Sequence, residues 1–186
     1  MLDSATTLLA TRGVAGVTVD AVLSHSGAPR GSVYHHFPGG RAQLIQETIQ
    51  RSGSRMTLRL RRTFDADDPR AALAAFIDFW KVALAATDYA VGCPVAAVAM
   101  DGDPVVPGTD AMIEAILSEW DLELRRALAT AGCPPARVPA LSTTLLAAVE
   151  GAIILARAHR NPTPLDDIAI ELDLLLATAL PPRSAP

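Results

Sequence analysis

The chain has 186 residues and a net charge of −4, with half of its residues hydrophobic and only 4% aromatic. That is enough apolar material for a core, and Ala and Leu dominate it, which favours helices over sheets. There is no signal peptide, no stretch of roughly 18 uncharged apolar residues (Leu145 to Ala156 is broken by Glu150), and too few cysteines for a secreted disulfide framework. A secreted or membrane protein is thereby excluded and a cytoplasmic one expected.

Leu2, Ala5, Leu8 and Leu9 recur at helical spacing and predict a first helix over residues 2–12, stopped at Gly13. Thr18 is placed to cap a second helix, with Asp20 in its first turn and Val19, Val22 and Leu23 on its inner face. Ser26-Gly27-Ala28 breaks that helix. Pro29 suits the first position of a short third helix that ends near His36, and Phe37-Pro38-Gly39-Gly40 is a second break. A long helix is predicted over 41–64 and a polar turn over 65–69. Further helices are predicted over 69–86, from Pro94 to a stop at Asp101-Gly102-Asp103-Pro104, and over 107–131, 138–160 and 165–180. The tail, 181–186, is expected to be disordered. The fold class is therefore all-α, with about nine helices.

Charge is distributed unevenly. Residues 1–62 carry eight arginines against Asp3, Asp20 and Glu47, a net of +5, so the remainder carries −9 of the total −4. A basic end on an acidic chain points to a phosphate-facing N-terminal region. Arg51, Arg55, Arg59 and Arg62 share one helix face; a solvated face is the first reading of them, long-range steering toward DNA the second.

Two short helices joined by a glycine-containing turn over residues 18–36 fit a helix-turn-helix, whose second helix enters the major groove. Its exposed residues, Arg30, Gly31, Ser32, Tyr34 and His35, have suitable chemistry: Arg for guanine, and Ser, Tyr and His for phosphate or base edges. Val33 and Phe37 would hold the helix to its domain, and the long helix opens at Gly40-Arg41, where free amides suit a phosphate.

The segment Gly27-Ala28-Pro29-Arg30-Gly31-Ser32-Val33-Tyr34-His35-His36-Phe37-Pro38-Gly39-Gly40-Arg41-Ala42-Gln43-Leu44, with Thr18-Val19-Asp20 before it, closely resembles the recognition segment of the TetR family of repressors. The resemblance implies a helix-turn-helix domain over 1–46 and a ligand-binding and dimerisation domain over 47–180. It implies DNA contacts from Thr18, Pro29, Arg30, Gly31, Ser32, Tyr34, His35 and Arg41, with Thr18 on phosphate and Arg41 pinning the DNA backbone. Ala28-Pro29 departs from the family, where a β-branched residue and a Ser or Thr are common. The family also has several residues, often basic, before helix one, whereas Met1 falls almost inside it here; either the recorded start is late or the arm is missing and affinity is lower.

Farther on, Gly92-Cys93-Pro94-Val95-Ala96-Ala97-Val98-Ala99-Met100 and Glu150-Gly151-Ala152-Ile153-Ile154-Leu155-Ala156-Arg157-Ala158 resemble a TetR subgroup that includes lincomycin-resistance and flavonoid-responsive repressors. This implies a repressor, not an enzyme, that leaves operator DNA on binding a drug-like compound. Phe76, Phe79, Trp80, Leu84, Met100, Met112, Ile116 and Trp120 are the candidate effector lining, because aromatics supply flat apolar area and Met adapts in shape. The last two helices are apolar on more than one face and call for a partner. Leu145, Ala148, Gly151, Ala152, Leu155, Leu172 and Leu176 are the candidate homodimer residues. Glu150, inside an apolar helix, is read first as a structural partner of Arg157 or a backbone donor, and second as a ligand contact. Cys93, ahead of Pro94 at a helix start, leaves a redox-responsive regulator open, and a helical carrier or enzyme with a vestigial helix-turn-helix is the other alternative. His25, His35, His36 and His159 lack metal spacing, and His35 and His36 are expected on different sides of their helix; no metal or cofactor is expected.

Overall fold

The computed structural model describes residues 1–65, 68–101 and 106–181. The described residues form nine α-helices and no strand: α1 (Leu2–Arg12), α2 (Val19–Ser26), α3 (Ser32–His36), α4 (Gly40–Phe64), α5 (Pro69–Ala85), α6 (Pro94–Asp101), α7 (Thr109–Thr130), α8 (Val138–His159) and α9 (Thr163–Ala179). The expected all-α class and the order of its helices are observed. The end of the predicted break after Asp101 and the predicted tail beyond residue 181 lie outside the described residues.

The chain packs as two compact units, Met1–Arg55 with Ala90–Leu117, and Met56–Tyr89 with Ser118–Pro186. These cut across the boundary expected at residue 46, because α6 packs on α1. Gly92 N–H donates to the Ala10 carbonyl at 3.0 Å, and the Asp101 carboxylate accepts from Val14 N–H at 2.8 Å. The first unit is therefore built from α1–α3, the first part of α4, α6 and the first part of α7. Ala5, Leu8, Leu9 and Ala10 form the buried stripe of α1, and Leu9, Leu44, Ile45 and Ile49 are fully enclosed.

In the second unit α9 packs on α8 and α5. Asp68 caps α5 by accepting from Arg70 and Ala71 N–H at 3.1 and 3.2 Å, with Pro69 at the first turn, where its missing donor costs nothing. Ile77, Leu84, Trp120, Leu128, Leu145, Ile153, Leu165 and Leu176 make the core. Arg70 grips Asp173 with two 2.6 Å hydrogen bonds, and Lys81 pairs with Asp166 at 2.6 Å, so α5 is tied to α9 twice.

By length and composition α8 is long and apolar enough to cross a bilayer, with an 18-residue stretch of mean hydropathy 1.8, although Glu150 and Arg157 keep it from being an uncharged run. Of that stretch, 39% is buried against its own chain.

Candidate functional site

In the first unit, α2 and α3 form the helix-turn-helix. Thr18 Oγ1 accepts from Ala21 N–H at 3.1 Å and caps α2 as expected. Gly27 ends α2 at φ +66°, a conformation that favours glycine, with its N–H on the Leu23 carbonyl at 2.9 Å. Pro29 is not the first residue of α3. It lies in the turn, and its carbonyl accepts from both Ser32 N–H (2.9 Å) and Ser32 Oγ (2.6 Å). The helix begins only at Ser32, where that turn closes. Val33 and Phe37 are buried and hold α3 down, as predicted.

Thr18, Pro29, Arg30, Gly31, Tyr34 and His35 are all exposed, and Ser32 is half-buried. Tyr34 is 64% exposed, unusual for a large aromatic side chain. His35 and His36 were expected apart, yet their rings meet edge to face with centroids 5.1 Å apart. Arg30 forms an exposed 3.1 Å ion pair with Asp20 of α2, a contact the sequence reading did not foresee. At Gly31 an added Cβ meets no atom within 4 Å and φ is an ordinary −72°, so nothing in the chain itself demands glycine there. Arg41 donates from Nε to the Val17 carbonyl and from Nη2 to the Val14 carbonyl, both at 2.8 Å. Its guanidinium thus holds the segment before α2.

Three of the four arginines in the α4 stripe are tied to neighbouring side chains rather than merely solvated. Arg51 and Arg55 both reach Asp3, at 3.0 and 2.9 Å. The Arg55 hydrogen bond, then the Arg51 charge, hold the Asp3 carboxyl below the usual carboxylate range. Arg59 lies over the Phe79 ring, 3.6 Å from its centroid.

A cleft opens within the second unit. Met56, Leu60 and Phe64 of α4 and Leu73 and Phe76 of α5 form one part of its wall. Trp120 and Leu124 of α7 and Leu145, Leu146, Val149 and Glu150 of α8 complete it. Its cavity volume is only about 20 Å³, room for one or two waters. On the outside of the same unit, α8 exposes Ile154 and Leu155 and α9 exposes Ile170 and Leu174.

Residues 1–48 match the family model of bacterial regulatory proteins of the tetR family, and residues 69–171 match that of the LmrA/YxaF-like transcriptional regulator C-terminal domain. The chain belongs to the TetR family. Within it, the chain is a transcriptional regulator of the LmrA subgroup. It is 39% identical over 194 residues to an uncharacterized HTH-type transcriptional regulator of Mycobacterium tuberculosis, covering 99% of this chain and 96% of that one. It is 31% identical to the HTH-type transcriptional regulator LmrA of Bacillus subtilis, covering 89% and 88% of the two chains. The fold matches the crystal structure of regulatory protein TetR from Rhodobacter sphaeroides with a TM-score of 0.84 at 23% identity, over 93% of this chain and 95% of that one. It also matches a TetR transcriptional regulator from Legionella pneumophila with a TM-score of 0.81 at 18% identity, over 94% of both.

Of the eight effector residues expected in this TetR-family regulator, the structure puts Phe76 and Trp120 on the cleft. Trp80 and Leu84 are buried in the core of the second unit, and Phe79 is covered by Arg59. Met100, Met112 and Ile116 belong to the first unit, where Met100 is 64% exposed and Ile116 is buried against Gly53. Composition drew attention to the aromatics and methionines, whereas five of the eleven wall residues are leucines, which carry no signal of their own. Glu150 was visible as a charge in an apolar helix, and it does lie on the wall.

The dimer expectation also needs correction. Leu145, Ala152, Leu172 and Leu176 are buried in their own chain and have no area left for a partner. Leu155 is half exposed, Ala148 and Gly151 are partly exposed, and an added Cβ at Gly151 meets nothing within 4 Å. The apolar residues exposed on α8 and α9 also include Ile154, Ile170 and Leu174, which the sequence analysis did not single out. Their spacing of four on α9, and one turn beyond Gly151 on α8, was the available signal. Cys93 is buried at the start of α6, where its Sγ accepts from Ala96 N–H at 3.5 Å.

Proposed function

We propose that this regulator is a cytoplasmic homodimeric repressor that holds near-palindromic operator DNA through α3 and leaves it when a small apolar or aromatic effector enters the cleft of the second unit. The observation that carries the reading is the α3 surface: Arg30, Gly31, Tyr34 and His35 stand exposed together, and Gly31 has no reason within the chain to be glycine. A backbone that must approach DNA closely supplies that reason. Thr18 lies at the start of α2, where its hydroxyl and the first free amides face a phosphate. Arg41 acts through position, because two of its donors already hold the Val14 and Val17 carbonyls.

Two such surfaces in a symmetric dimer meet half-sites about 34 Å apart, or a multiple of it. The exposed α8 and α9 residues supply the apolar face for that pairing. The effector works by preference: it must bind a spread form of the narrow cleft more tightly than the closed one, a difference of typically about 1–3 kcal/mol. The helix α4 runs unbroken from Gly40 to Phe64, so the effector pushes at Leu60 on the helix that begins beside Arg41.

Gel shifts on the DNA upstream of the gene test the reading. Tyr34→Ala is expected to weaken binding to all sequences about equally, Arg30→Ala to relax sequence preference as well, and Arg41→Ala to lower affinity together with the stability of the protein. Wild-type protein with no preference for any native promoter refutes operator recognition. Linkage gives the effector test: a compound that releases DNA must itself bind more weakly, by the same factor, when operator is saturating.

A further inference from the structure

We propose that Asp20 is a specificity-determining residue of the DNA-reading surface, where it holds the Arg30 guanidinium toward a guanine edge and away from phosphate. The inference rests on the operator reading above and names how one residue of that surface tells a base from the DNA backbone. It starts from the ion pair that spans the helix-turn-helix: Arg30 Nη2 donates to Asp20 Oδ1 at 3.1 Å, with both side chains exposed. The two residues also line one open groove along α2 and the turn after it, which includes Ser24, Gly27 and Ala28. Residues 1–62 hold two other acids, and both are engaged elsewhere: Asp3 with Arg51 and Arg55, and Glu47 with Gln43 Nε2 at 2.7 Å. Asp20 instead stands beside a residue of the DNA-reading surface.

An arginine on such a surface has two uses. Left loose, its long side chain finds the nearest phosphate and adds affinity for any sequence. Held in one direction, its fork meets N7 and O6 of guanine and discriminates between bases. An exposed ion pair adds little stability, so the effect of Asp20 lies in direction and charge. Both ends of the pair are anchored. Thr18 Oγ1 caps α2 through Ala21 N–H at 3.1 Å, and the turn that carries Arg30 is closed by Ser32 N–H and Oγ on the Pro29 carbonyl. The pair uses one Nη2 hydrogen of the five guanidinium N–H donors. Whichever Nη2 hydrogen that is, two parallel donors remain for a guanine, from Nη1 and Nη2 or from Nε and Nη2. The Asp20 charge also repels phosphate and offsets the Arg30 charge, so the pair gains less from the DNA backbone than a lone arginine does.

The test uses the full chain, a duplex from the DNA upstream of the gene, and a shuffled duplex of the same length and composition. Each is titrated by fluorescence anisotropy over a range of salt. Asp20→Asn should bind the shuffled duplex more tightly than wild type does, with a log affinity that falls more steeply with log salt, by about 0.9, the mark of one more phosphate contact. Its preference for the native duplex should drop at least about fivefold. Arg30→Ala should also lose preference, and adding Asp20→Asn to it should change that preference no further, which separates the positioning of Arg30 from a general effect of charge. An unchanged preference in Asp20→Asn or in Arg30→Ala, or the same loss from Asp20→Asn in both backgrounds, overturns the assignment while operator recognition by the rest of α3 stands. A wild type without preference for any native promoter takes both readings down. Asp20→Ala reads the same quantities should Asp20→Asn fail to fold.

Discussion

The dimer reading makes a sharp demand on Leu174. It is 56% exposed on α9, beside Ile170 at 62%, and Ile154 and Leu155 of α8 are 43% and 50% exposed. Fully burying a Leu or Ile side chain stabilises by about 1.5–3 kcal/mol, so each of these half-exposed residues contributes about 1–1.5 kcal/mol when a partner covers it. Four per protomer make roughly 8–12 kcal/mol for the pair, against an association cost of about 4–15 kcal/mol. The margin is narrow, so each side chain matters, and two-fold symmetry counts every substitution twice. Leu174→Arg removes about 2–3 kcal/mol of burial across both copies and sets a guanidinium against an apolar partner face. The dissociation constant should rise at least about 100-fold. Sedimentation velocity at micromolar concentration reads this directly. Wild type should run as a dimer and Leu174→Arg as a monomer with unchanged helix content by circular dichroism, since Leu174 is not part of the chain's own core. A variant that sediments like the wild type, or a wild type that is monomeric, refutes the assignment of this face.

Other outcomes follow from local geometry. Thr18→Ala should cost about 1 kcal/mol in urea unfolding by removing the acceptor of Ala21 N–H, and Thr18→Ser should restore it; equal stability of all three would show that the cap contributes nothing. A Cβ at Gly53 would lie 2.6–2.9 Å from three side-chain atoms of the buried, β-branched Ile116. Gly53→Ala should therefore destabilise despite the roughly 1 kcal/mol it gains in helix propensity, and should turn neutral or stabilising in an Ile116→Ala background; the same cost in both backgrounds would rule out close approach as the cause. Asp3, beside Arg55 and Arg51, and Asp173, hydrogen-bonded by Arg70, both titrate below the ordinary carboxylate range. Their contribution is complete above the unfolded value of about 4 and is lost as pH falls through the lower folded value, so Asp173→Asn should flatten the acid side of the stability profile. Identical acid limbs would mean that the exposed pair adds nothing measurable.

Sequence alone determined the helices and the DNA-reading segment, because those signals are local. The Thr18 cap, the Gly27 stop and the buried Val33 and Phe37 lie within a few residues of what they act on, so periodicity and capping rules reach them. Pro29 was misplaced by three residues because a proline suits a helix start and a turn equally well, and the choice was made by the hydrogen bonds its carbonyl forms to Ser32. What only the tertiary structure decided was which side of an apolar helix looks where. On α8, Leu145, Val149, Ala152 and Ile153 face the core while Ile154 and Leu155 face outward, and both sets are equally hydrophobic as letters. The difference lies in α9 and α5 covering one side and leaving the other bare. The cleft wall shows the same limit: leucines from four helices contribute to it, and no spacing along the sequence records that Leu60, Leu73, Leu124 and Leu145 meet. Their meeting depends on helix packing between segments up to 85 residues apart, a property of the assembled fold and of no single segment.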